Sequence, residues 1–145
     1  MLFLMNQQPE QLRKSVTARL VQNGINPTRQ RVEIGMCLFD RDKHITADQL
    51  LELVNQGSAE VSKATVYNTL GLFAAKGLLR EVVVDPGKQI FDTNTTPHHH
   101  LYNVDTGELQ DIESRNLVVS GLPVLDNGVE ITGVDIVVRV RNTGG

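Results

Sequence analysis

Apolar residues recur at helical spacing through the first half of the chain and at strand spacing after it, with the change of period near Leu78. Leu12, Val16 and Leu20 stand at i, i+4 and i+8 ahead of Gly24, which predicts an amphipathic helix stopped by a glycine. In NPTRQRVEIGMCLF, Thr28 is the expected N-cap of a second helix with Val32, Met36 and Phe39 along one face. ITADQLLELVNQG sets Thr46 and Gln49 at capping-box spacing before Leu50, Leu53 and Val54, with Gly57 expected to close a third helix. VSKATVYNTLGLFAAKG supplies Ser62 as N-cap, a buried stripe of Val66, Leu70 and Phe73, and Gly77 as the end of a fourth.

From Leu78 onward, LLREVVV, the turn DPGK and QIFDT predict a hairpin. HHHLYNV and ELQDIE around DTG predict a second one. GVEITGVDIVVRVRN is β-prone throughout, whereas residues 113–124 offer at most a weak helix. Helices followed by a hairpin is the order of a winged helix-turn-helix. The expected fold class is therefore α+β, with a winged-helix domain over residues 1–91 and a small α/β unit over residues 92–145.

With 145 residues, 40% of them hydrophobic, the chain can bury a core. No apolar run approaches the roughly 20 residues that span a bilayer, and the opening MLFLM is short and lacks a charged flank. A cytoplasmic location is expected. A single cysteine, Cys37, excludes an internal disulfide or a Cys-pair zinc site within the chain, so metal chemistry here must use nitrogen and oxygen. The net charge of −3 conceals an asymmetry. Residues 1–91 hold 11 Lys and Arg against 9 Asp and Glu, and residues 92–145 hold 3 against 8. The mildly basic part suits phosphates; the acidic part does not.

If Val66, Leu70 and Phe73 face a core, then Ala64, Tyr67, Asn68 and Gly71 point the opposite way, with Lys63 at the edge. Small residues let such a face enter a groove, Tyr67 can meet a thymine methyl or a phosphate, and Asn68 can bond a base edge. Lys63, with Thr65 in the same first turn, can hold a phosphate at the helix N-terminus. Arg29 and Arg31 at the start of the second helix and Lys88 at the hairpin tip are the supporting candidates. The bland alternative is an ordinary solvated helix face.

Three of the four histidines are consecutive, His98 to His100. In a strand the outer two share a side while His99 faces away. Asp92 on the preceding strand and Asp111 on the following one are placed to add carboxylates, and His44 precedes the third helix. These three imidazoles and two carboxylates suit Fe2+, Mn2+, Co2+ or Zn2+. An affinity tag or a solvated polar loop are the alternatives.

PTRQRVEIGMCLF, HITADQL, VSKATVYNTLGLFAAKGLLREV, GKQIFDTN and HHHLYNVDTGELQDIE, in this order, resemble the ferric uptake regulator (Fur) family of bacterial metal-dependent repressors over roughly residues 10–115. ATVYNTL with the histidine run and no Cys pairs is most similar to the iron response regulator (Irr) branch. The resemblance implies a metal site at His44, Asp92, His98, His100 and Asp111. It also implies a dimerisation role for residues 92–145, a homodimer on a palindromic double-stranded DNA operator, and Tyr67 in the recognition helix. Asn103 and Thr106 stand where many members carry the Cys-x-x-Cys of a structural zinc. Pro97, Val118 and Val134 stand where ligands of a further metal site are expected, leaving His99 without co-ligands. Asn26 replaces a basic residue that often enters the minor groove. The Irr branch is associated with haem; Cys37 is followed by Leu38 rather than proline, so only haem contact through the histidines stays open.

The expectation is one divalent metal per subunit (Fe2+ or Mn2+, with Zn2+ in vitro, or haem) in a DNA-binding transcriptional regulator that represses. A constitutive DNA binder with a structural metal and a peroxide-sensing regulator are the alternatives. An enzyme centre is least expected, because no separate general base or substrate-pocket motif accompanies the His/Asp set.

Overall fold

A computed structural model describes residues 8–57 and 60–144; the opening MLFLM lies outside the described residues. The chain divides into two compact units, Met1–Thr95 and Thr96–Gly145.

The first unit holds four α-helices, α1 (Pro9–Gln22), α2 (Arg29–Phe39), α3 (Ala47–Asn55) and α4 (Lys63–Ala75). Its three strands are β1 (His44–Ile45), β2 (Arg80–Asp85) and β3 (Lys88–Asp92). The helices start where the sequence supplies an oxygen for their orphan amides: Thr28 accepts the N–H of Arg31, and Ser62 that of Thr65. At α3 the capping box is complete, with Thr46 Oγ1 accepting the N–H of Gln49 at 3.1 Å and Gln49 Oε1 accepting that of Thr46 at 2.9 Å. Helices α1 and α4 end alike. Gly24 and Gly77 adopt φ of 72° and 78°, and the following amides, of Ile25 and Leu78, return to the carbonyls of Leu20 and Phe73. Both of those residues are buried and so tie each helix end into the core.

That core joins Val16, Leu20, Leu38, Leu50, Val66, Leu70 and Phe73 with Leu78, Leu79 and Phe91. The stripe expected on α2 is only partly the buried one. Val32 is buried, but Ile34, Gly35 and Leu38 carry the burial beyond it, with Met36 and Phe39 half-buried. Helix α2 packs on more than one neighbour, and Gly35 is where α1 comes closest: a Cβ there would lie 2.5 Å from Val16 Cγ1. Gly57 has no left-handed backbone, and α3 stops at Asn55. Strands β2 and β3 form the expected hairpin around Gly87, whose φ is 79°. The third strand of this sheet, β1, was not anticipated; it pairs antiparallel with β3 and makes the sheet order β1-β3-β2.

The second unit is a three-stranded sheet of order β5-β4-β6, from β4 (His98–Asn103), β5 (Leu109–Glu113) and β6 (Val137–Val140). The β4–β5 hairpin is antiparallel as expected, and β6 lies parallel to β4 on its other side. Two expectations are corrected here. The β-prone run yields only Val137–Val140 as strand, after an irregular stretch interrupted by Gly128 and Gly133. Between residues 113 and 124 the helical part shrinks to one 3-10 turn, Ser114–Asn116, the sole helical element among the described residues of this unit.

Candidate functional site

Each unit carries its own group of potential metal donors. In the first, the β1–β3 register sets His44 opposite Asp92, and His44 Nε2 lies 3.2 Å from Asp92 Oδ2. Asp92 is 1% exposed, and its Oδ1 accepts the N–H of Asn94 at 2.9 Å. A buried carboxylate is costly unless it meets such partners or a cation.

In the second unit, strand alternation turns His98 and His100 to one side, as expected. Their ring centroids are 4.6 Å apart, and Asp111, paired with His100 across the hairpin, sets its Oδ1 3.3 Å from His98 Nε2 and 3.4 Å from His100 Nε2. One donor atom from each of these three residues lies within 4.8 Å of the others. His98 Nδ1 stands 2.5 Å from the carbonyl oxygen of Thr96. A carbonyl only accepts, so Nδ1 carries a proton, and Nε2, beside the Asp111 carboxylate, is the nitrogen that could ligate a metal. The residue before Pro97 is confined to extended backbone, which helps hold the Thr96 carbonyl in place. The donor chemistry and this orientation fit a divalent metal.

His99 points the other way and has a structural task that the sequence reading did not find. Its Nδ1 accepts the N–H of Ile136 at 3.2 Å, next to β6. All three rings are buried, at 5%, 8% and 2% exposure, so none presents an open face to a porphyrin. Burial also pushes the Cys37 thiol above its ordinary value of 9.0; Asp40 and Glu33 add to that and Lys43 opposes it. A thiol kept protonated is a poor haem ligand.

Asn103 and Thr106 form a hydrogen-bonded turn. Asn103 Oδ1 accepts the N–H groups of Asp105 and Thr106, its Nδ2 donates to Asn142 Oδ1 at 2.9 Å, and Asp105 Oδ2 accepts the N–H of Asn142 at 2.8 Å. These bonds fasten the β4–β5 turn to the chain just past β6.

On α4 the two faces separate as the spacing predicts: Val66, Leu70 and Phe73 are buried while Lys63, Ala64, Tyr67, Asn68 and Gly71 are exposed. Lys63 Nζ sits 5.7 Å from the Tyr67 ring and 3.9 Å from Asp48. A cleft of about 310 Å³ brings Arg31, Thr65 and Asn68 together with Thr28, Gln30, Thr69 and Leu72. Gln30, in the first turn of α2, is the addition that a helix-turn-helix reading could have included. Arg31 donates to the carbonyl of Asn26 at 2.9 Å and so braces the loop ahead of α2. Arg29 and Lys88 are exposed and do not line this cleft.

Residues 22–139 match the model of the ferric uptake regulator family. The chain belongs to that family. Among curated relatives, a peroxide-responsive repressor, PerR, of Staphylococcus aureus (strain Mu50) is 32% identical over 96 residues, which cover 66% of this chain and 65% of the relative. The chain thus aligns with less than two thirds of that relative's length. Among solved structures, the ferric uptake regulator of Pseudomonas aeruginosa with manganese is 25% identical, with a TM-score of 0.67 over 88% of this chain and 97% of that one. The ferric uptake regulator of Francisella tularensis with iron matches with a TM-score of 0.68 at 19% identity, over 82% and 92% of the two chains. The α+β fold, a winged helix-turn-helix followed by a smaller unit, is thus that of the Fur family. No helix among the described residues is long and apolar enough to cross a membrane.

Proposed function

We propose that this chain is a cytoplasmic metal-responsive transcriptional regulator and not an enzyme. In this reading it represses, and it binds one divalent cation per subunit through His44, Asp92, His98, His100 and Asp111. The observation that carries the reading is the buried His98–His100 pair, whose Nε2 atoms converge on Asp111 while His98 Nδ1 donates to the Thr96 carbonyl. Three nitrogens and two carboxylates of intermediate hardness suit Fe2+ or Mn2+, and accept Zn2+ in vitro. The P. aeruginosa relative was solved with manganese. Burial of the rings favours a small cation over haem.

DNA is read by α4, with Tyr67 and Asn68 toward base edges and Lys63, Thr65, Arg29, Arg31 and Lys88 toward phosphates. A homodimer supplies two such helices for a palindromic operator. The second unit supports this: its described buried apolar residues are only Tyr102 and Leu109, while Val118, Leu122, Val124, Val129 and Ile131 are exposed. Metal and operator affinities are then coupled reciprocally, about 5- to 150-fold.

The test is operator binding by fluorescence anisotropy, with Fe2+ or Mn2+ and with chelator. The wild-type chain gains affinity with metal, whereas the His98→Ala/His100→Ala double variant keeps the chelated value and the same helical content. Wild-type binding indifferent to chelator would replace this reading with a constitutive DNA binder. The peroxide-responsive name of the S. aureus relative favours a second reading, in which the iron-loaded protein answers peroxide. Peroxide treatment then adds one oxygen to a peptide bearing His44, His98 or His100 with Fe2+ and not with Mn2+; unmodified peptides in both cases remove this reading.

A further inference from the structure

We propose that Thr93 is a positioning residue for the metal, acting through His44; the inference rests on the metal-site reading above. Thr93 directly follows Asp92 and is itself buried. Its Oγ1 accepts the N–H of Lys43 at 2.9 Å, lies 3.4 Å from the Lys43 carbonyl, and its own N–H donates to that carbonyl at 3.1 Å.

Residue 43 immediately precedes the donor histidine, and β1 is only two residues long. So short a strand cannot hold its own register; an isolated pair of ladder residues frays. Thr93 extends the pairing by one step beyond His44↔Asp92, using a side chain where the ladder ends. The far end of residue 43 is also anchored. Lys43 Nζ pairs with Asp40 at 2.8 Å and donates to the carbonyl of Cys37, in the last turn of α2. The segment carrying His44 is thereby fixed from both sides, and on its other flank Thr46 begins the capped helix α3. Without the Thr93 hydroxyl, the N–H of Lys43 loses its acceptor and the segment carrying His44 loses one of the constraints that hold it opposite Asp92. Groups that orient metal ligands typically account for 10- to 100-fold in affinity.

Co2+ alone is the probe, because its visible spectrum reports coordination geometry as well as occupancy. Titrated into the full chain, Thr93→Val is expected to bind Co2+ about tenfold more weakly with altered absorption bands, and Thr93→Ser to recover both. A purely structural role would lower the melting temperature and leave affinity and spectrum of the folded protein unchanged; that result overturns the proposal. Should the Val variant fail to fold, the Thr93→Ala and Thr93→Ser pair isolates the same hydroxyl, and equal Co2+ affinities in that pair overturn it as well. Wild-type protein that takes up no Co2+, or binds it without His98 and His100, brings down the metal-site reading and this inference together. Wild-type binding alongside an unaffected Val variant brings down this inference only.

Discussion

The two units bury different things. In the first, the interior is a continuous cluster from Val16 to Phe91, assembled by helices whose ends are capped by their own sequence. In the second, the described buried residues are three histidines, Tyr102 and Leu109, while a long irregular stretch leaves valines and leucines in water. Fifty residues with so little apolar interior fall in the size range where metals or association usually complete a fold. The difference teaches that one unit is stable by its core and the other needs something added.

That contrast can be broken most forcefully at the exposed apolar stretch. Val118 and Val124 are 90% and 101% exposed. Changing both to Asp is expected to convert a dimer to a monomer in sedimentation and to weaken operator binding by about 10² to 10⁴ through loss of the second half-site. A dimer that survives the double change moves the interface elsewhere. A smaller effect is expected from Gly35→Ala, since the new Cβ would press on Val16; overpacking of this kind costs about 1–3 kcal/mol. Thermal unfolding should show the loss in the helical signal of the first unit, with Co2+ affinity at low temperature unchanged. The smallest change is Asn103→Ala, which removes the exposed side-chain hydrogen bond to Asn142 and those to Asp105 and Thr106 within the β4–β5 turn, worth about 1 kcal/mol. Hydrogen exchange should quicken around residues 140–142 and not in α1–α4, and bound metal should offset part of the loss. Equal quickening in both units would erase the distinction between them.

How much of this was legible depended on distance along the chain. The caps at Thr28, Thr46 and Ser62, the glycine stops at Gly24 and Gly77, and the faces of α4 are written within a few residues of where they act, and the reading of them agrees with the fold. The grouping of His98, His100 and Asp111 followed from strand period plus one hairpin. What escaped was long-range: the pairing of β1 with β3, the parallel placement of β6 beside β4, and hence the acceptor role of His99 toward Ile136. The shift of the buried face on α2 toward Ile34, Gly35 and Leu38 escaped for the same reason, because it depends on which neighbours surround that helix. Arg31, expected at a phosphate, also donates one N–H to the carbonyl of Asn26, five residues back.

Three identical side chains in a row give a strand no means of telling which of them belongs inward. Slipping β4 by one position would swap His99 for its neighbours, yet the written order would look the same. What blocks the slip is Tyr102, on the same side as His98 and His100 and only 2% exposed, which would be turned out of its berth. A phenol ring thus does the spelling for the imidazoles, and exchanging it for a small polar residue would scramble the donor set without touching a donor.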